Sequence, residues 1–171
     1  PKVRLQPCFV DSKYSKSVSL FMSREGTTPE KARATCLKFV ARSAVLATDG
    51  FIVYDIQDEE GRTTMERPFP FKKTLDPAWY ASLFPALTGK DCIVYKCAVE
   101  ENAENFSGWL SSAVNEYNHS AFNLVGAPTS SRDFHGLKLI DACAIVKEDP
   151  NAAFGCVCIP EHNVKKGNET T

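Results

Sequence analysis

Five short apolar runs recur along the chain, each followed by a segment with another periodicity, and this alternation restricts the fold more than any other feature. The runs are "KSVSLFMS" (16–23), "GFIVYDI" (50–56), "KDCIVYKCAV" (90–99), "SAFNLVGAP" (120–128) and "AAFGCVCIPEH" (152–162). Four helices are predicted between them. Thr28 caps the first, with Pro29 at its first position and Ala32, Cys36, Phe39 and Val40 on one face. "LDPAWYASLF" starts a second with Asp76 as cap and Pro77 at the first position. "ENAENFSGWLSSAVNEY" places Phe106, Leu110 and Val114 on one side of a third, and "GLKLIDACAIVKED" forms a fourth. Strands this continuously apolar are expected to be buried on both faces, in a parallel sheet with helices outside it. Such a sheet is either open and doubly wound or part of a (β/α)8 barrel. A dinucleotide-binding open sheet needs a glycine-rich turn after its first strand. That turn reads "SREGTTP", with one glycine, so the expectation is a TIM-barrel type fold.

In parallel α/β folds, ligand groups gather on the loops beyond the carboxyl ends of the strands. Polar or special residues end each run here: Ser23 and Arg24; Tyr54, Asp55 and Gln57; Tyr95 and Lys96; Gly126 and Pro128; Pro160, Glu161 and His162. Any one of them is polar simply because the strand leaves the core there. As a set drawn from distant parts of the chain, they are expected to converge on one rim and line a cleft.

Composition narrows the partners. With 20 basic against 21 acidic residues, no global field favours nucleic acid or an anionic membrane surface. No apolar run is long enough for membrane insertion, and "PKVRLQPCFV" has no signal-peptide core. Seven cysteines, mostly in apolar runs, suit reduced, buried thiols. A cytoplasmic or mitochondrial-matrix location is therefore expected. Cys156 and Cys158 share a strand face, which is ordinarily packing, and no second ligand pair at finger-like spacing accompanies them, so no metal site is expected. The sequons at Asn105, Asn118 and Asn168 are chance-level matches.

"GFIVYDIQDEEGRTTMERPFPFKKTLDPAWYASL", "CIVYKCA", "FNLVGAPTSS" and "FGCVCIPEHNVKKGNE" together resemble the first five βα units of the methylenetetrahydrofolate reductase-like family, in the same order from about residue 17 onward. The resemblance implies a (β/α)8 barrel, bound FAD, and hydride transfer from NAD(P)H through the flavin to a folate-type small molecule. It also implies cofactor contacts from Tyr54, Asp55, Tyr95, Lys96, Gly126, Ala127, Pro128, Glu161 and His162.

Two family positions lack their acids. The glutamate of the family's first strand falls on Phe21, with Glu25 several residues beyond, and the aspartate ending its fourth strand falls on Ala127. The fifth-strand motif keeps Pro160 and Glu161, with Ile159 in place of its tyrosine. Neither Phe nor Ala donates a proton, and hydride transfer coupled to ring opening needs a tuned proton donor. Asp55, Glu59 and Glu161 are the candidate substitutes. An inactive reductase-derived subunit that keeps the scaffold as an interaction module accounts for the losses equally well, and a folate- or cobalamin-binding barrel without redox chemistry is a third reading. Flavin binding depends less on these acids. Lys96, Arg62 and Arg67 are candidate phosphate partners, although the two arginines are also placed to pair with Asp58, Glu59, Glu60 and Glu66.

Phe69 and Phe71 in "RPFPF" are expected to fold back as a lid beside Trp79 and Tyr80. A surface or capping role is expected for His119, and His135 lies in a loop on the active rim. A complete barrel takes about 250 residues, so residues 1–171 are read as one partial barrel domain. A second chain or a C-terminal half is expected to cover its open edge.

Overall fold

The computed structural model describes residues 17–19, 23–46, 48–58, 72–126 and 135–157. Its centre is a parallel sheet of five strands: β1 (Ser17–Ser19), β2 (Gly50–Val53), β3 (Cys92–Cys97), β4 (Ala121–Val125) and β5 (Ala153–Cys156). Spatial order follows chain order, so every strand pairs with the next and the order never reverses.

Helices α1 (Pro29–Ser43), α2 (Pro77–Ala81), α3 (Leu83–Thr88), α4 (Ala103–Asn115) and α5 (Leu139–Glu148) fill the connections. Their starts follow the sequence signals. Thr28 accepts a bond from Lys31 N–H ahead of Pro29, Asp76 accepts from Trp79 N–H ahead of Pro77, and Asn102 caps α4 through Asn105 N–H.

The predicted second helix is broken at Ser82 into α2 and α3. Pro85 explains the break, because it has no N–H for the carbonyl of Ala81 and its ring crowds that carbonyl. The freed Ala81 oxygen accepts the Cys92 thiol of β3 at 3.5 Å. The same burial pushes the Cys92 thiol far above its ordinary range, with Asp91 adding to the effect.

The core lies between the helices and one face of the sheet. Phe51 and Val53 of β2, Cys92 and Val94 of β3, and Phe122 and Leu124 of β4 meet Phe84, Phe106, Leu110 and Val146 from the helices. The alternate residues Ile52, Ile93 and Tyr95 are only half-buried. Burial on both faces, expected from the apolar runs, therefore holds for β4, while β2 and β3 bury one face fully among the described residues. No described helix is long and apolar enough to cross a membrane.

His119 corrects the surface assignment. It is 5% exposed, and its Nε2 lies 2.8 Å from the Ala78 carbonyl oxygen of α2. Asn118 just before it takes the left-handed conformation (φ 59), which turns His119 N–H back to the Ala113 carbonyl. Burial holds the imidazole below its ordinary value of 6.5, against the opposing pull of the Ala78 carbonyl. A lowered folded value places the stabilisation above 6.5, to be lost as pH falls toward that folded value. Chemical denaturation across this window is expected to show the loss in the wild type and a flatter profile in His119→Phe.

The cysteines also divide differently from the expectation. Cys36, Cys92 and Cys97 are buried, but Cys143 is half-buried and Cys156 exposed. The neighbour of Cys156 is Cys143 of α5, with sulfurs 3.5 Å apart. Cys158, its expected strand-face companion, lies outside the described residues.

Candidate functional site

The segment 72–75 ties the chain beyond the carboxyl end of β1 to the chain beyond that of β2. Leu75 N–H bonds to Ser23 carbonyl, Thr74 N–H to Ile56 carbonyl, and Glu25 N–H to Lys73 carbonyl. Thr74 and Ser23 are buried by this strap, and the Thr74 hydroxyl accepts from Ile56 N–H. The strap sets one wall of a cleft of ≈ 380 Å³, lined by Glu25, Asp55, Gln57, Lys73, Thr74, Leu75, Asp76, Pro77, Lys96, Glu100 and Glu101.

Lys96 organises the cleft floor. Its residue is 6% exposed, and Nζ lies 2.9 Å from Glu101 Oε1 and 3.8 Å from Asp55 Oδ2. It also sits 5.1 Å from the centre of the Trp109 ring, a cation–π contact from α4. Trp109 in turn donates its indole N–H to Asp76 Oδ2 at 2.8 Å, so the α2 cap and α4 share one network. Asp55 accepts from Cys97 N–H at 2.9 Å and from the Gln57 amide at 2.8 Å.

The two buried charges respond in complementary ways. Burial pushes the Asp55 carboxyl above the usual carboxylate range, with Lys96 and the Cys97 amide opposing it. Burial pulls the Lys96 ammonium down, but Asp55 and Glu101 more than offset that and hold it above its ordinary value. Lys96 therefore stays cationic within a ring of carboxyl groups.

The other predicted rim residues lie elsewhere. Successive strand residues point to opposite faces, so Tyr54 and Tyr95 face away from the helices while Asp55 and Lys96 face toward them. The Tyr54 and Tyr95 rings are 4.7 Å apart. Tyr95 hydrogen-bonds Asn123 of β4, its partner in register. Gly126 follows β4 on the helix side, where a Cβ would meet Leu139 of α5 at 3.7 Å, and its carbonyl accepts the Cys97 thiol at 3.6 Å. The expected single convergence is thus two adjoining surfaces at one rim, a charged one under the helices and an aromatic one on the opposite face. His135 is exposed beside Gly136, whose missing Cβ matters: a methyl there would land on the Val99 carbonyl.

Glu59, Arg62, Arg67, Phe69, Phe71, Ala127, Pro128, Pro160, Glu161 and His162 lie outside the described residues, as does Phe21. Among the described residues, no group of three or more His, Cys, Asp or Glu side chains is placed to hold a metal ion. Glu101, Asp76, Trp109 and Asn123 join the rim without having been expected there. Of these, Asn123 alone carried a signal, as a polar residue between Phe122 and Leu124 in an apolar strand.

Neither a protein-family model nor a curated protein matches the chain. Among solved structures, it is similar to an uncharacterised protein from Clostridium thermocellum that binds two copies of 5-methyl-5,6,7,8-tetrahydrofolic acid. The TM-score is 0.64 at 26% sequence identity, covering 90% of this chain and 47% of that one. The chain thus spans about half the length of this neighbour.

Proposed function

We propose that this domain binds a reduced folate at the carboxyl ends of its strands, within one part of a (β/α)8 barrel. The observation that carries the reading is the folate-binding neighbour, which matches nearly the whole of this chain. The unreversed strand order supports the barrel, because doubly wound sheets reverse order at a switch point.

The charge of the helix-side cleft disfavours a flavin diphosphate. Five carboxyl residues and two lysines line the cleft, and Lys96 is enclosed by Asp55 and Glu101. Carboxylates repel a phosphate, so this side of the rim is poorly suited to a flavin diphosphate. FAD-linked reduction with NAD(P)H is a narrower reading that rests on the sequence resemblance. In that reading Asp55, its carboxyl raised by burial, is the described candidate for the proton donor.

Calorimetric titration of the purified chain with 5-methyltetrahydrofolate tests the proposal. Saturable binding is expected; absence of heat and of any thermal shift at millimolar ligand would overturn it. Visible absorption of the same sample separates the narrower reading, since flavin bands are required for FAD-linked reduction and not for folate binding.

A further inference from the structure

We infer that the ring of the ligand lies on the sheet face turned away from the helices, in a hollow over β4 and β5 walled by the Tyr54–Tyr95 pair. This rests on the folate-binding reading and adds where on the rim the ring sits. The observation is a graded loss of side-chain size across the sheet. In the upper layer Tyr54 stands beside Tyr95, Tyr95 is in register with Asn123, and Asn123 with Gly155. In the layer below, Ile52 pairs with Ile93 and Ala121 with Ala153. Both layers run from large residues on β2 and β3 to small ones on β4 and β5.

The result is a step with an aromatic wall and a low floor. A tyrosine wall suits a flat heterocycle, which is held by stacking or edge contact. Asn123 is the polar group on the floor. It is 8% exposed and bonded to Tyr95. A carboxamide offers two donors and two acceptor positions, so that bond leaves capacity to read both a carbonyl and an N–H on a ring edge. Gly155 keeps the place beside it open. A Cβ there would be only 3.7 Å from Asn123 Oδ1, an ordinary contact, so packing within the protein does not demand glycine. A free hollow for a planar ligand does. The helix-side cleft competes less well for the ring, because Lys96, Asp55 and Asp76 are already committed to Glu101, Cys97, Trp79 and Trp109.

The test is calorimetric titration of wild type, Gly155→Ala, Gly155→Val and Asn123→Ala with 5-methyltetrahydrofolate, with thermal midpoints recorded for each. Expected is a graded loss, slight for the single methyl of Gly155→Ala and about tenfold or more for Gly155→Val and Asn123→Ala, at unchanged midpoints. Should Gly155→Val fail to fold, Gly155→Ala and Asn123→Ala still decide. Wild-type affinity in these variants overturns the hollow while leaving folate binding intact. No binding by the wild type removes the folate reading itself, and the hollow with it.

Discussion

Replacing Lys96 with methionine is expected to destabilise the domain by about 3–5 kcal/mol, the range for removing one partner of a buried ion pair. The side chain is 8% exposed and that of Asp55 6%, so solvent does little to screen the loss. Methionine keeps the stem's bulk and part of the contact with Trp109, which confines the change to the charge. What remains is a buried Asp55 facing Glu101 with no cation between them. The sign of the Asp55 shift sharpens the expectation. A raised carboxyl value means that its stabilising contribution belongs to the acid side and is lost as pH rises through the folded value. At neutral pH its ionised form is therefore a burden that Lys96 offsets. Asp55→Asn keeps an acceptor for Cys97 N–H and leaves Lys96 on Glu101, so a smaller loss is expected. The double variant should be more stable than Lys96→Met alone, and a double-mutant cycle by urea denaturation measures that coupling. Lys96 itself is raised, so its contribution is complete below its ordinary 10.5 and is lost as pH climbs through the folded value. The gap between wild type and Lys96→Met should accordingly close only in strong alkali.

Phe84→Ala is expected to cost about 3–5 kcal/mol, as large aromatic truncations in well-packed cores do. Phe84 is fully buried in α3 and meets three other rings: Phe51 of β2 at 5.0 Å, Tyr80 of α2 at 5.7 Å and Phe39 of α1 at 6.3 Å. It is thus the shared contact of three helices and a strand, and the void would open where they join. Thermal unfolding should show a midpoint lower by on the order of 10 °C, from about 2–4 °C per kcal/mol at this chain length. A drop of a degree or two would show that the bend at Ser82 lets α3 settle into the space. Because Phe84 is on the helix side and distant in the sheet pattern from Asn123, residual folded protein should still bind ligand.

Much of this architecture was legible in the residues. Thr28 and Asp76 with their following prolines marked helix starts, and the apolar runs marked the strands in a parallel order. The break at Ser82 was also readable, since Pro85 sits three positions into the second half of that helix. The two-faced rim was available in principle from strand periodicity: Tyr54 and Asp55 are adjacent, as are Tyr95 and Lys96, and neighbours on a strand cannot share a face. Reading strand ends as a set obscured it. Gly155 gains meaning, and Asn123 its neighbours, only from register, which pairs β3, β4 and β5 across more than fifty residues. His119 was unreadable for a related reason. Its burial depends on the Ala78 carbonyl, 41 residues away, and local sequence around a helix end contains no trace of that partner.

The same distinction governs function. Under the reductase resemblance, Phe21 and Ala127 stand where proton chemistry would need acids, whereas a hollow built from side-chain size needs neither of them. Binding can therefore persist where reduction does not, and the two are separable by experiment.

The most direct measurement is a crystal structure of the chain grown with saturating 5-methyltetrahydrofolate. The expected result is ring density against Tyr95 and Asn123, above Gly155, with the glutamate tail directed to solvent. Ligand held only at the helix side of the sheet, or no ligand at the strand ends at all, would contradict it.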